Sequence, residues 1–480
     1  MQPTLALLLW LVLLIALLRF DPAREGRTSY ALWVPLIWLA ILGSRLPSQW
    51  QSAGVVGTMS LQAMGEGNPL DRTIFLLLIV IAIGILFSRR FSVIQFAAKN
   101  ILLISFLSFA LLSVFWSDFP FVVFKRWFRD FGTYLVILVV LTDRSPLEAM
   151  RTVLRRLAYL LVPLSIVLDK YFVELSRVYN PWTGVATYVG ATTSKNMLGL
   201  LCLVSGLYFL WDIFARWPHR RQRRTKLILA VDVAFLTMSV LLLQTAQSTT
   251  SKLCLTLGGL VILVSQSKFI RRRPAILKAA IPGSFCLYLI LVFVFELNGA
   301  MAQALGKDPT LTDRTEIWAF LLGMHTNPLI GTGYQSFWVG PRLDYFWHTS
   351  GLGFINEAHN GFIELYLELG VIGVALLIGF LIVSYRTMYK RFISSPSTGI
   401  LGLAVWLVLV FYNMSEAAFE WGLMYALFLM TAMSVPERSA LRVSASHAHK
   451  KHGAIPAGQE KVSLGVAGLS TGPKKAVPAL

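Results

Sequence analysis

Charged side chains are scarce in this sequence: 14% of its 480 residues are Asp, Glu, Lys or Arg. A soluble domain carries roughly 25%. A chain so poor in charge cannot clothe a water-facing surface of its size, which excludes an ordinary soluble enzyme and any disordered or collagen-like class. Cysteine is scarce too. Cys202, Cys254 and Cys286 all lie inside apolar runs without a CxxC partner, so neither a zinc site nor a disulfide framework is indicated. There is no GxxxxGK[ST], no HExxH, no G-x-S-x-G elbow with a triad, and no outward-facing Asp-x-Asp pair. Those gaps argue against a nucleotide-driven pump and the common metal and serine hydrolases. No metal and no cofactor is expected.

What is present is apolar: 56% of the residues are hydrophobic and the mean hydropathy is +0.65. About thirteen apolar runs recur along the chain, near 3–19, 29–44, 73–88, 100–116, 121–141, 157–169, 196–215, 227–244, 252–267, 279–297, 362–386, 399–413 and 421–435. They predict an all-α polytopic membrane protein of about 12–13 transmembrane helices with one long external loop of short helices. The first run lacks a basic n-region and a small-residue cleavage site, so it reads as a retained span. Three regions are expected: N-terminal transmembrane helices over 1–99, a membrane core over 100–435 containing the loop 298–361, and a disordered cytoplasmic tail over 436–480.

The net charge of +19 would suggest nucleic acid in a soluble protein. In a membrane protein it points instead to cytoplasmic loops, and no nucleic-acid partner is expected. Arg216–Lys226 holds six basic residues and no acid, and Lys268–Lys278 holds five and none. Arg89, Arg90, Arg151, Arg155, Arg156, Arg386, Lys390 and Arg391 keep the same phase. The long loop, with three basic and five acidic residues, falls on the other side. Helix alternation and charge bias therefore agree on an external loop and a cytoplasmic tail. In the tail, His447, His449 and His452 read as a solvated basic stretch, with metal binding as the alternative.

Chemistry-bearing residues gather at the external edge. The long loop is too aromatic to be disordered, and a short helix is expected over Thr312–Leu322, capped by Thr312 or Asp313. Arg314, in its first turn, is either a salt-bridged structural residue or a bidentate phosphate clamp. His359 and Asn360 stand where the loop runs into a span. They either cap that helix or supply a general base or phosphate-binding imidazole beside a lipid-borne substrate. Arg126 and Arg129 interrupt the fifth run and either snorkel or serve a site. Lys195 and Asn196 open the seventh run, and Ser248–Lys252 opens the ninth. Several basic and hydroxyl clusters on one membrane face fit a polyanionic lipid headgroup such as a lipid pyrophosphate.

Taken in order, TLTDRTEIW, NPLIGTGYQSFW and EAHNGFIELYLELGVIG resemble the bacterial O-antigen ligase and polysaccharide polymerase superfamily. The stretches WSDFPFVVFKRWFRDFG and ATTSKNMLGLLCLV look like its exopolysaccharide branch, the ExoQ-type polymerases. The resemblance spans roughly 100–435. It implies inverting glycosyl transfer, independent of metal and nucleotide, on the periplasmic face of the bacterial inner membrane. The implied donor is an undecaprenyl-pyrophosphate-linked glycan. The implied acceptor is another lipid-linked glycan in a polymerase or lipid A-core in a ligase, with the bilayer and polysaccharide assembly proteins as partners.

The resemblance places the family's loop arginine on Arg314 and its loop-end histidine on His359, as catalytic residues. Arg126, Arg129, Lys195, Asn196, Lys252 and Asn360 are the expected substrate-binding set. The family often has Ser-Arg-Thr where this chain has Ser251-Lys252-Leu253; lysine supplies the charge without the planar fork. With an ordinary pKa of about 6.5, His359 would be a usable base near neutral pH. The alternative gives it a phosphate contact and makes Glu357 or Glu364 the base. The rival reading from another class is a flippase for lipid-linked oligosaccharide, which would call for polar residues at mid-membrane.

Overall fold

The structure, a computed structural model, describes residues 2–21, 28–51, 67–179, 184, 186–293, 314–420 and 422–436. The tail beyond residue 436, with His447, His449 and His452, lies outside them, as do Thr312 and Asp313. Each of the thirteen apolar runs contains helix: α1 Pro3–Phe20, α2 Trp33–Leu42, α3 Pro69–Ser88, α4 Ile101–Leu112, α5 Pro120–Leu141, α6 Pro146–Tyr171, α7 Lys195–Arg216, α8 Arg223–Ala246, α9 Thr249–Val264 and α10 Ala275–Phe293. In the long loop come α11 Arg314–Gly323 and α12 Pro341–Thr349, followed by α13 Gly361–Ser394, α14 Pro396–Tyr412 and α15 Leu423–Ala432. The only strands among the described residues are β1 Arg177–Tyr179 and β2 Ala186–Tyr188, an antiparallel hairpin pairing Val178 with Thr187.

Helix starts follow local chemistry. Proline occupies the first turn of α1, α3, α5, α6, α12 and α14, where its missing N–H costs nothing. Ser194 caps α7 and Ser248 caps α9 by accepting from Met197 N and Ser251 N. Among the described residues, α1, α3, α7, α8, α10 and α13 are long and apolar enough to cross a membrane. α5 and α6 miss that test because charges crowd their first halves: Lys125, Arg126, Arg129 and Asp130 in one, Glu148, Arg151, Arg155 and Arg156 in the other. The run near 100–116 begins at a sharp bend. The chain bends by 104° where Val93–Lys99 meets the following helix. Asn100 sits in the bend, donating to Phe96 O and Ser434 O, 2.8 Å each.

α7 is the most enclosed of the long helices, packed on α6, α8, α9, α14 and α15. α1, by contrast, buries only Ala6 and shows its apolar sides outward, as a lipid-facing helix does. Several of the arginines that mark the basic loops are tied to buried acids. Arg89 reaches Asp143 at 2.7 Å, and Arg151, Arg155 and Arg216 surround Asp212. These pairs let cations sit at the bundle end without an unpaired buried charge.

The long loop is anchored by a break in α13. Gly370 leaves helical geometry there, at φ 63°. The loop supplies the hydrogen bonds that the break gives up. Val371 N donates to Pro328 O at 2.9 Å and Ile372 N to Leu329 O at 3.2 Å, while Thr332 N and Gly333 N donate to Leu367 O and Glu368 O. A Cβ on Gly370 would lie 2.2 Å from Leu329 C, and one on Gly331 2.3 Å from Glu368 C. Only glycines permit backbones to approach so closely. The loop's own apolar core, with Ile317, Leu321, Phe337, Trp338 and Phe346, rests on Leu367 of α13. The expected folded cap of short helices is present in the described part of the loop.

Candidate active site

The first turns of α7, α9 and α13, the second and third turns of α5 and the turn after α14 meet at the end of the bundle that carries the loop. Gly361, the first residue of α13, donates its N–H to both Asn413 O, 2.9 Å, and Glu416 O, 3.0 Å. A Cβ on Gly361 would fall 2.0 Å from Asn413 Oδ1. This contact sets the turn 413–420 directly beside the His359–Asn360 pair.

Glu416, 5% exposed, collects three side chains from separate parts of the chain. Asn196 Nδ2 donates to both its carboxylate oxygens at 3.0 Å. Arg314 donates to Oε1 at 3.1 Å. His359 Nδ1 lies 3.7 Å from Oε2, and 2.8 Å from Glu357 Oε1. His359 also holds a left-handed backbone, φ 49°, a conformation that costs a non-glycine residue free energy and clusters at functional sites. Burial works against the charged imidazole, but the nearby Glu357 and Glu416 carboxylates outweigh it and push its pKa up to about 9.

Gln335 is the second junction, also left-handed at φ 50°. Its N–H donates to Glu368 Oε2 at 2.7 Å and its Nε2 to Asp130 Oδ2 at 2.7 Å. Its side-chain oxygen accepts from Arg129 at 3.1 Å, and its carbonyl accepts from Arg126. Arg129 also pairs with Asp130 at 2.8 Å. Glu364 is bound on both oxygens, by the Trp338 indole N–H and by Ala358 N.

A cavity of about 1510 Å³ joins the two junctions, with Arg126, Arg129, Lys195, Asn196, Glu357, His359, Glu416 and Glu420 in its walls. It therefore gathers five of the eight expected site residues directly. Arg314 reaches the same place through Glu416. Lys252 is half-buried in the first turn of α9, whose Thr250 hydroxyl bonds to that of Ser415 at 2.9 Å, and it is not among the residues lining the cavity. Asn360 is spent on its helix: Oδ1 accepts from Phe362 N at 3.0 Å and Ile363 N at 3.2 Å.

Sequence reasoning missed Glu416, Glu420, Gln335, Glu368 and Asp130. The one local signal was two acids, Glu416 and Glu420, in the short turn between two apolar runs, where buried-edge carboxylates are seldom idle. Glu357, His359 and Glu416 place potential ligand atoms within 4.8 Å of one another, a grouping the spacing of the histidines did not suggest. Asn196 and Arg314 already donate to Glu416 there, and Arg314 would repel a cation.

A family model described as O-antigen ligase matches residues 233–378, from α8 into α13, taking in Lys252, Arg314 and His359. The chain is also 30% identical over 317 residues to the exopolysaccharide production protein ExoQ of Rhizobium meliloti (strain 1021), covering 62% of this chain and 67% of that protein.

Proposed function

Because this chain belongs to the O-antigen ligase and polysaccharide polymerase family, in its ExoQ-like branch, we propose that its cavity transfers a glycan from an undecaprenyl-pyrophosphate carrier to an acceptor sugar, lengthening an exopolysaccharide or O-antigen chain. Membership makes it a multi-pass membrane enzyme of polysaccharide biosynthesis. The observation that carries the finer reading is the convergence of Asn196, Arg314 and His359 on Glu416, beside a cavity that also holds Arg126, Arg129 and Lys195.

A glycosyl pyrophosphate already has a good leaving group. The site must meet the charge that builds on the departing pyrophosphate and take one proton from the acceptor. In the step, an acceptor hydroxyl oxygen bonds to the anomeric carbon from the side opposite the pyrophosphate. The carbon–oxygen bond to pyrophosphate breaks, and its electron pair leaves with the carrier. The configuration inverts. Arg314 and Lys195 bring positive charge to the leaving group, and Arg126 and Arg129 to the acceptor side of the cavity.

His359 enters this step as an imidazolium, because Glu357 and Glu416 keep it protonated at neutral pH. The base role suggested by an ordinary histidine pKa passes to the Glu357 carboxylate, 2.8 Å from the ring and partly exposed to the cavity. The proton lost by the acceptor hydroxyl goes to Glu357 and then to water. Positive charge on the leaving group comes from side chains, so the reaction needs no divalent metal. The charge bias of the loops supports a cavity on the periplasmic face of the inner membrane.

Two lipid-linked substrates favour a polymerase, since both junctions carry guanidinium groups. Deleting the gene tests this. The polymerase reading expects loss of high-molecular-weight polysaccharide with single repeat units retained and lipid A-core unchanged. Full-length chains left on the carrier and missing from lipid A-core would instead identify a ligase.

A further inference from the structure

We propose that Glu416 is the positioning residue of this site: its carboxylate holds the Asn196 amide, the Arg314 guanidinium and the His359 imidazole in one preformed array around the place of the leaving pyrophosphate. This rests on the glycosyl-transfer reading above and adds a residue outside the span of the family-model match, which ends at residue 378.

The three donors come from the start of α7, the start of α11 and the loop before α13. Among the described residues, Glu416 is the side chain that contacts all three. Glu416 is itself fixed twice through its backbone. Its N–H donates to Tyr412 O at 3.0 Å and its carbonyl accepts from Gly361 N at 3.0 Å. The second bond links it to the residue two places after His359, so the turn and the histidine move as one piece. Long side chains such as arginine lose rotamer freedom when they bind, and a prefixed partner has already removed that freedom before substrate arrives.

A purely structural ion pair would look different. Arg155 and Asp212 form one, buried between α6 and α7, with neither residue in the cavity wall. Glu416 does line the cavity, as do Asn196 and His359, and Arg314 reaches it through Glu416. Two acidic side chains face His359, Glu357 from its own loop and Glu416 from the turn after α14, and Arg314 approaches Glu416 from α11. Removing the Glu416 charge leaves Glu357 as the one carboxylate paired with the ring. The ring should then lose its proton at lower pH.

The test compares Glu416→Gln and Glu416→Asp with the parent protein, purified whole. His359 is titrated by NMR of labelled histidine, its signal assigned by its loss in His359→Gln, and transfer is followed with lipid-linked repeat units. Glu416→Gln keeps an acceptor oxygen for Asn196 and Arg314 but not the charge. We expect its His359 titration and the high-pH limb of its rate to move together to lower pH, and its transfer rate to fall about 10–100-fold. Glu416→Asp should recover part of both. A lower rate with the titration and the limb unmoved would overturn the proposal and make Glu416 a simple staple; so would a Glu416→Gln protein identical to the parent in both readouts. A moved titration with an unchanged rate would leave the contact standing and overturn the positioning role, whereas no transfer by the parent protein would remove the transfer reading itself.

Discussion

His359 and Glu357 form a close charged contact in the cavity wall, Nδ1 to Oε1 at 2.8 Å, with the histidine backbone held in a left-handed turn. Glu357, Ala358 and His359 are consecutive, and Ala358 N is bound by Glu364. The left-handed turn sets the imidazole beside the two carboxylates.

That contact sets a pH dependence. The folded-state pKa of His359 is raised to about 9, above the ordinary value of about 6.5. The protonated ring thus stabilises the folded site fully below about 6.5, and this contribution is lost as pH rises through about 9. Transfer is expected to hold across neutral pH and to fall as pH rises through about 9, in a pH–rate profile of the reconstituted enzyme. A rate that climbs through the same range would return His359 to the role of base.

Arg314 tests the leaving-group contact. Arg314→Ala and Arg314→Lys are both expected to insert normally and to lose transfer by roughly 100-fold or more, because a point charge does not replace the planar fork. Near-normal rates for Arg314→Lys, with expression and melting unchanged, would reduce Arg314 to a structural partner of Glu416.

The loop's seat in the break of α13 gives a stability prediction. Gly370→Ala and Gly331→Ala add a Cβ within 2.2–2.3 Å of backbone atoms at residues with positive φ. Each is expected to destabilise by about 2–4 kcal/mol from strain and overpacking. Gly323→Ala, where a Cβ meets nothing within 4 Å, should be close to neutral. Thermal melts in detergent compare the three. Equal melting of all variants would contradict the anchoring role of the break.

Much of the bundle was legible because apolar runs and prolines mark helices by local chemistry. The charges of α5 were legible as well, as residues out of place in a span, but not their partners. Arg126 and Arg129 are tied to Gln335, more than 200 residues away, and Asn196 meets Glu416 across 220. No spacing along the chain encodes such contacts; they follow from how the helices pack. Asn360 shows the reverse case, since a residue of the right chemistry in a suggestive motif proves to cap α13.

The side of the membrane rests on loop charge and is open to direct test. Reporter fusions near residues 220, 270 and 395 are expected to read cytoplasmic, and fusions near 60, 185 and 330 external, as the basic loops require. A cytoplasmic reading near 330 would place the cavity on the wrong face for a periplasmic substrate.

The most direct measurement of the central claim is reconstitution of the purified chain in liposomes with lipid-linked repeat units, in the presence of EDTA. The account predicts new glycosidic bonds, with free undecaprenyl pyrophosphate released one for one, and neither product from Arg314→Ala. Movement of lipid-linked glycan across the bilayer without new bonds would mark a transporter, and activity lost in EDTA and restored by one specific divalent metal would contradict the metal-free site.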